Sequence, residues 1–466
     1  MREIKQEGQA ELLKTSKNDK SNYLFSNSDL RKLILPLVFE QTLAITVGMA
    51  DTMMISSVGE AAVSGVSLVD MLNVLIFGVL SALATGGAVV ASQNLGAGRK
   101  KDACRSAKQL LVTTLAFSIA GAVLVALCRH GLLRLFFGSI EADVMDAALT
   151  YLLISTISFP FLGIYNACAA LFRAMGKSNV TFAVSVIGNV INVVGNAICI
   201  FGLHMGVAGV AIPTVLSRIV MGMILYILLK NPKHEIYFDK EKFRPDIGII
   251  KKILYIGIPS GIENLIFQLG RVLVVSIISG FGTVQIAANG VANSLDGMGC
   301  IIGQAMNLAM ITVIGRCVGA GDQTQIKYYA KKLLAITYVS TAVFNTIMLA
   351  NLNPILALYG LSEETTALTY TLVMIHNGMA IFLWPVSFVF PNMLRACNDV
   401  RYPMVVSIFS MFVFRIGFSY IFGVQMSMGA VGVWCAMLLD WIFRSISFVF
   451  RYLRGGWKKT MYRLNG

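Results

Sequence analysis

The sequence predicts an all-α integral membrane protein whose twelve transmembrane helices form two six-helix lobes related by a parallel pseudo-twofold repeat. The chain of 466 residues is 56% hydrophobic and only 13% charged, whereas an average soluble domain has about 25% charged residues. Apolar runs recur along the whole chain, and its second half repeats motifs of the first half at a constant spacing. These three observations exclude an ordinary soluble domain.

The apolar runs have the length that a bilayer requires. A hydrocarbon core of about 30 Å is crossed by about 20 helical residues. The first run follows a polar tail and lacks a small-residue cleavage site, so we interpret it as a membrane span rather than a signal peptide. The predicted spans are 31–57, 64–93, 107–128, 143–165, 176–201, 207–229, 250–279, 285–314, 331–351, 366–391, 403–423 and 429–451.

The formal net charge of +14 reflects membrane topology. Lys and Arg occupy the N-terminal tail, alternate loops and the C-terminal end, while the intervening loops hold almost none apart from Arg129 and Arg134. The positive-inside rule then predicts that both termini are cytoplasmic. We therefore expect a multi-pass protein of the plasma (inner) membrane, and the charge does not indicate a nucleic-acid partner.

The two halves of the chain match at an offset of 223 residues, which places Pro36 on Pro259, Glu40 on Glu263 and the Gly-Ala-Gly of 96–98 on that of 319–321. Because each half has an even number of spans, the repeat is parallel, and transporters built from repeats hold their site at the repeat interface. The predicted organisation is a cytoplasmic tail (1–30), an amino lobe (31–229), a cytoplasmic linker (230–249), a carboxy lobe (250–454) and a second tail (455–466).

Acidic residues inside the spans are the main functional candidates. A charge near the bilayer centre costs roughly 3 kcal/mol or more, so such residues usually face a protein interior or an aqueous cavity. Glu40 and Asp51 lie eleven residues apart on the first helix, which places them within about 20° on one face and about 16 Å apart along the axis. Glu263 repeats Glu40, and each glutamate follows a helix-kinking proline by four residues. We predict that Glu40, Asp51 and Glu263 bind a cation or a proton.

Amides on the fifth span form a second candidate group. Asn189, Asn192 and Asn196 fall in one stripe, which either glues helices together by hydrogen bonds or lines an ion site with Asp51. Asn192 and Asn196 are the better-placed pair, as neutral ligands.

Other charged residues also fall inside the predicted spans. They either line a cavity or pair across helices, and the sequence does not assign their partners: Asp70, Arg271, Asp296 and Arg415. The predicted cavity-lining residues are Asn189, Asp70, Asp296 and Arg271. Asp440 and Arg444 are spaced for mutual neutralisation along one helix.

Several classes of mechanism lack their motifs. Gly176-Lys177-Ser178 resembles the end of a nucleotide-binding loop, but Leu171 stands where that pattern needs glycine. There is no HExxH and no Gly-x-Ser-x-Gly, and the eight cysteines show no metal-binding or disulfide spacing. We therefore expect no enzyme, no cofactor and no metal beyond a possible Na⁺. Energy would then come from an ion gradient, with Na⁺ or H⁺ as the coupling ion.

Five stretches carry a family resemblance: residues 47–54, 58–66, 92–98, 172–177 and 189–202. With the Pro-x-x-x-Glu of the first span, the chain length and the parallel repeat, they resemble the multidrug and toxic compound extrusion (MATE) family of the multidrug/oligosaccharidyl-lipid/polysaccharide flippase superfamily. The resemblance extends from about Leu30 to Arg454.

This resemblance implies a V-shaped, two-lobed antiporter that exports organic, often cationic and amphipathic, compounds in exchange for Na⁺ or H⁺. The first-helix acid of the family maps onto Asp51, and its Asn-x-x-x-Asp pair maps onto Asn192 and Asn196, so that Asn replaces the second acid here. In the sodium-coupled branch of the family, acids also occur on helices seven and ten. This chain has Glu263 on helix seven, and it has no equivalent acid on helix ten. The expected partners are a small organic substrate, the coupling cation and the bilayer, with a monomeric protein. The alternative is a flippase or exporter of a lipid-linked saccharide or other lipid-like substrate.

Overall fold

A computed structural model describes residues 23–138, 141–239 and 243–461, and over these residues the secondary structure consists of helices without strands. Twelve of the helices in this part of the chain are long and apolar enough to cross a membrane. The predicted fold class is confirmed. The N-terminal tail before residue 23 lies outside the described residues.

The amino lobe contains six membrane helices. The first begins with a capping box, in which Ser26 and Asp29 each accept a hydrogen bond from the other's backbone amide, and it contains Pro36. The fifth ends in a π-helical turn, Ile198–Gly202. The helices are α1 (Asn27–Ser56), α2 (Glu60–Gly96), α3 (Lys100–Phe137), α4 (Ala142–Ala174), α5 (Ser178–Gly202) and α6 (Ala208–Leu228).

The carboxy lobe has the same order of helices, with one break. The eighth predicted span is divided at Cys300, where the chain forms a turn between two helical segments. The elements are α7 (Ile247–Ser279), α8a (Thr283–Gly299), α8b (Ile301–Gly319), α9 (Gln323–Ala350), α10 (Glu363–Ala396), α11 (Arg401–Gln425) and α12 (Gly429–Leu453).

Backbone geometry follows the sequence repeat. Shifted by 223 residues, the bounds of α2 coincide with the start of α8a and the end of α8b, and the bounds of α5 coincide with those of α11. The turns correspond as well: Gly59 and Gly282 have φ of 134° and 100°, and Gly98 and Gly321 have φ of 70° and 72°. Glycine tolerates these left-handed conformations because it has no Cβ. The two lobes therefore use the same connections.

The hydrophobic cores show where the lobes meet. Two clusters mix the lobes: one combines α1 residues such as Leu33 and Leu37 with carboxy-lobe residues, and the other combines amino-lobe residues with Ile253 and Ile311. Two further clusters, at the other end of the helices, each contain residues of a single lobe. The lobes are thus packed together at the end that holds the chain termini and are separate toward the opposite end.

A symmetric contact, which we call the clasp, joins the lobes at their closed end. A Cβ on Gly96 would lie 1.9 Å from the Arg316 carbonyl oxygen, and a Cβ on Gly319 would lie 1.9 Å from that of Gln93. Gln93 and Arg316 are repeat equivalents, as are the two glycines. Only glycine permits this approach of α2 and α8b.

Polar contacts across the clasp repeat the same symmetry. The Gln93 side chain donates to the Ala396 carbonyl at 2.9 Å, and the Arg316 Nε donates to the Ala174 carbonyl at 3.0 Å. Arg316 also pairs with Glu235 of the linker at 2.5 Å. These bonds satisfy carbonyls at the ends of α4 and α10 that have no partner within their own helix.

We predict that Gly319→Val opens the clasp, because a side chain at this position collides with the backbone of α2. Cys317 and Cys397 are fully buried beside it and should become accessible to a membrane-impermeant maleimide added on the terminus side, with labelling read by mass spectrometry. Gly121→Val is the matched control, since no atom lies within 4 Å of a Cβ there. Unchanged labelling in Gly319→Val would contradict the assignment of the clasp as the closing contact.

Candidate functional site

The amino-lobe cluster consists of Asp51, Asp70, Asn192, Asn196 and Arg218, contributed by four helices. The fully buried Asn196 donates to Asp51 Oδ1 at 2.7 Å. Asn192 lies between Asp51 and Thr214, and the amide orientation that suits both neighbours places its nitrogen 2.9 Å from Asp51 Oδ1 and its oxygen 2.9 Å from Thr214 Oγ1. The predicted group of Asp51, Asn192 and Asn196 is therefore brought together, because residues four apart on α5 share the face that α1 packs against.

Asp70 forms the second acidic position of the cluster. Its Oδ1 accepts from the Tyr151 hydroxyl at 3.2 Å and from Asn73 Nδ2 at 3.3 Å. Asp70 also interacts electrostatically with Asp51 and Arg218. It was expected to line a cavity or pair across helices, and it contacts α4 while remaining exposed.

Arg218 on α6 is the cation of the cluster. Its guanidinium donates to Ser158 Oγ at 2.6 Å and lies 4.6 Å from the centroid of the Phe77 ring, while its charge acts on both Asp51 and Asp70. Our sequence analysis did not select Arg218, Tyr151 or Thr214. The sequence could have identified Arg218, because it is a lone charge in an apolar span. Tyr151 and Thr214 have no such distinguishing feature in the sequence.

The net charge of the cluster depends on the ionisation of its two carboxylates. With both carboxylates ionised, Asp51 and Asp70 carry two negative charges against the one positive charge of Arg218. An uncompensated charge inside a membrane protein is costly. One monovalent positive charge would balance the cluster in this state.

Asn196 provides a further feature suited to a cation. Its Oδ1 atom is buried and accepts no hydrogen bond from any residue that the structure describes. Such an orphaned oxygen is unfavourable unless a ligand occupies it. An amide oxygen next to a carboxylate suits a hard cation such as Na⁺, or a water molecule that carries a proton.

Glu40, which was predicted to bind a cation, has a different environment from Asp51. Its carboxylate lies 3.5 Å from Arg173 and accepts from Thr181 at 2.9 Å and from Tyr165 at 3.4 Å. The glutamate side chain is 10% exposed and the arginine side chain 13%. This ion pair links α1 to the end of α4.

Glu263 occupies the equivalent position in the carboxy lobe. It pairs with Arg395 at 2.6 Å and with Arg444 at 3.7 Å, and Arg395 is the repeat partner of Arg173 with a one-residue slip. Each proline-kinked helix thus carries a glutamate that meets an arginine of the fourth helix in its lobe. The sequence did not reveal these arginine partners, which lie more than a hundred residues away.

The remaining candidate residues of the carboxy lobe lie around α8a. Asp296 Oδ1 lies 2.9 Å from His376 Nδ1, and the Cys300 thiol donates to the same carboxylate oxygen at 3.4 Å. Arg271 on α7 interacts electrostatically with Asp296. Asn189 is half-buried on α5, one turn from Asn192.

The expected pairing of Asp440 with Arg444 along α12 is an electrostatic interaction and not one of the ion pairs within 4 Å among the described residues. Asp440 lies 3.5 Å from Arg415 and accepts from Ser410, while Arg444 lies 3.7 Å from Glu263. The buried arginine therefore connects α12 to α7, because a nearer carboxylate of another helix competes with the intrahelical one.

The family model described as MatE matches this chain twice, over residues 36–198 and 259–421. The chain belongs to the MatE family. The two matched segments are separated by the same offset of 223 residues that relates the helices of the two lobes.

Full-length similarity accompanies the MatE match. The chain is 27% identical to the uncharacterized transporter YisQ of Bacillus subtilis over 91% of this chain and 92% of that protein. It is 26% identical to a probable multidrug resistance protein NorM of Thermotoga maritima over 92% and 93%. A solved outward-facing multidrug resistance MATE transporter superposes with a TM-score of 0.86 at 20% identity, over 92% of this chain and 96% of that one.

MatE proteins are membrane transporters of the multidrug efflux type, so this chain is a multi-pass transporter and not an enzyme. The family requires no organic or metal cofactor. Within the described residues, no three His, Cys, Asp or Glu side chains form a metal-binding group.

We predict that Glu263→Gln is destabilising, because it leaves Arg395 and Arg444 without their shared carboxylate. Breaking a buried pair from one side costs about 3–5 kcal/mol, so the thermal unfolding midpoint in detergent should fall. The double variant Glu263→Gln/Arg395→Gln should recover part of the loss. A single variant with an unchanged midpoint but abolished ion coupling would instead support the cation-binding role predicted for Glu263.

Proposed function

We propose that this MatE protein is a secondary active antiporter that exports organic compounds in exchange for one Na⁺ or H⁺ per cycle. The observation that carries the proposal is the net negative charge of the amino-lobe cluster, in which Asp51 and Asp70 face the single Arg218. One bound monovalent cation makes the cluster neutral. Coupling through intramembrane carboxylates is the usual means by which a transporter senses an ion gradient.

Hydrogen bonding around Asp51 supports proton binding in particular. When Asp51 is ionised, the Asn192 nitrogen faces it and the Asn192 oxygen faces Thr214. When Asp51 is protonated, a rotated amide accepts from the acid and donates to Thr214 at 2.9 Å, and Thr214 then donates to the Val210 carbonyl. Both states satisfy the contact between Asp51 and Asn192 and the contact between Asn192 and Thr214, so that proton exchange at Asp51 leaves neither amide group of Asn192 unpaired.

The arrangement of the lobes supports alternating access. The clasp closes the terminus side, and the outer hydrophobic clusters belong to separate lobes. With the predicted cytoplasmic termini, the cleft opens away from the cytoplasm. Cation and substrate would favour different lobe arrangements, because a ligand that binds both arrangements equally drives no exchange.

The relatives support the substrate class. The Thermotoga maritima and several other relatives are named as probable multidrug resistance proteins, so we propose that this chain exports drug-like or metabolic organic compounds across the plasma membrane, as a monomer. A lipid-linked saccharide remains the alternative substrate, and the test below separates the two.

We expect efflux of a fluorescent cationic dye from proteoliposomes to follow a pH gradient or a Na⁺ gradient when each is imposed separately. Asp51→Asn and Asp70→Asn should each reduce gradient-driven efflux at least about tenfold, since either change neutralises the cluster. Asp146→Asn is the matched control, being an exposed acid of the same lobe, and should retain efflux.

Two results would contradict this proposal. Undiminished coupled efflux in Asp51→Asn and Asp70→Asn would remove the cluster from the coupling mechanism. A wild-type protein that responds to neither gradient, but moves a lipid-linked saccharide between leaflets, would replace the antiporter with the flippase.

We further predict that the coupling ion stabilises the folded protein, because a ligand that binds only the native state raises its stability. If the ion is Na⁺, NaCl should raise the thermal unfolding midpoint above that in choline chloride, and Asp51→Asn should abolish the difference. Equal midpoints in the two salts for the wild type would assign coupling to H⁺.

A further inference from the structure

Arg271 has an unusual position on α7. It lies eight residues before the end of the helix at Ser279, which is about 12 Å at 1.5 Å per residue, and its neighbours Val272, Leu273 and Val275 are exposed apolar side chains. An arginine at this depth is unfavourable in lipid unless it faces water or a partner. Its orientation therefore determines its role.

Spacing along α7 places Arg271 on the side facing the other lobe. Gly257, Asn264 and Arg271 are seven residues apart, so they lie within about 20° of each other at each step. A Cβ on Gly257 would lie 3.1 Å from Leu83 of α2, and the Asn264 Cβ would lie 3.6 Å from a Cβ on Gly78 of α2. Arg271 lies on the same face of α7, two turns beyond Asn264 toward the open end of the lobes.

The lobes have separated at the level of Arg271. On α2, Met71 lies seven residues beyond Gly78 in the same direction, and its side chain is 53% exposed. Arg271 is exposed as well. Since the outer clusters belong to single lobes, we infer from the spacing along α2 and α7 that Arg271 and Met71 lie on opposite walls of the open cleft.

Arg271 also differs from five other arginines that lie near the intramembrane acids. Among the described residues it forms no hydrogen bond and no ion pair within 4 Å, although it interacts electrostatically with Asp296 and Arg415. The others are held by partners in their own lobe: Arg173 by Glu40, Arg218 by Ser158, Arg395 and Arg444 by Glu263, and Arg415 by Asp440.

The charged groups named above do not balance within either lobe. Arg271, Arg395, Arg415 and Arg444 of the carboxy lobe stand against the three acids Glu263, Asp296 and Asp440, whereas Glu40, Asp51 and Asp70 of the amino lobe stand against the two arginines Arg173 and Arg218. Arg271 interacts electrostatically with Asp296, and of the four carboxy-lobe arginines it is the one that the spacing along α7 places on the cleft side. Phe267, one turn before it on α7, adds an aromatic surface against which Arg415 is placed at 5.2 Å.

We propose that Arg271 binds the anionic group of the transported compound, which is an organic acid or zwitterion with a carboxylate on an aromatic body. A guanidinium presents paired donors that match a carboxylate, while Phe267 and the flexible Met71 contact the apolar body. The proposal rests on the proposed transport function and adds the substrate class to it. The amino-lobe acids then attract the cationic end of a zwitterion.

The test uses purified protein in nanodiscs of phosphatidylcholine and two probes, a xanthene dye with a free carboxylate and its methyl ester. Binding is measured by fluorescence anisotropy. Arg271→Gln should weaken binding of the acid at least about tenfold and leave that of the ester unchanged, which also shows that the variant is folded. Arg134→Gln, an exposed arginine at the far end of α3, should change neither.

Equal effects of Arg271→Gln on acid and ester, or no effect on either, would overturn the proposal. In a second arm, discs contain phosphatidylglycerol; if this lipid weakens acid binding to the wild type but not to Arg271→Gln, the arginine serves a lipid headgroup and the soluble-substrate assignment fails. Gradient-driven efflux of the ester is measured separately. Loss of this efflux would contradict the proposed antiport only. The role of Arg271 in binding a carboxylate would still be supported by the difference in binding between the acid and the ester.

Discussion

The cost of placing charge inside a bilayer is the constraint on which this structure depends. Several buried ionised side chains in the described spans have an oppositely charged neighbour on another helix, such as Glu40 with Arg173 and Asp440 with Arg415. Each pair therefore holds two helices together while it neutralises two charges. Two places differ from this pattern: the amino-lobe cluster, where two carboxylates meet the single Arg218, and Arg271, which forms no ion pair within 4 Å among the described residues. We propose that a transported ion interacts with the first and a transported compound with the second.

The internal repeat is preserved at the closed end of the lobes and is lost toward the open end. At the closed end, the glycines of the clasp, the prolines of α1 and α7 and the glutamate–arginine pairs occur in both lobes. Toward the open end the equivalents differ: the repeat partner of Asp51 is Val274, that of Arg218 is Trp441, and that of Arg271 is Gly48. A symmetric scaffold thus carries an acidic site in one lobe and a basic position in the other. In the proposed mechanism, this asymmetry lets the two lobes interact with different ligands during one cycle.

Helix count, helix order and the repeat could be predicted because they depend on local properties. A run of about 20 apolar residues forms a helix in a membrane whatever surrounds it, since no water is present to satisfy its backbone. The stripe of Asn192 and Asn196 and its pairing with Asp51 were also predicted, from helical spacing and from the family resemblance. In contrast, Glu40 and Asp51 share one face of α1 but belong to separate environments, because neighbouring helices supply Arg173 to one and Asn196 to the other.

The sequence by itself determined that this is a twelve-helix, two-lobed membrane transporter with acids buried in its first helix, because hydropathy, helical period and the repeat are properties of the chain alone. Only the tertiary structure decided which acid keeps an uncompensated charge. The partners Arg173, Arg218 and Arg395 come from helices distant in the sequence, and no spacing rule relates them to the acids. It also decided that Arg271 faces the cleft between the lobes, because that depends on where α2 approaches α7 and where the two lobes separate.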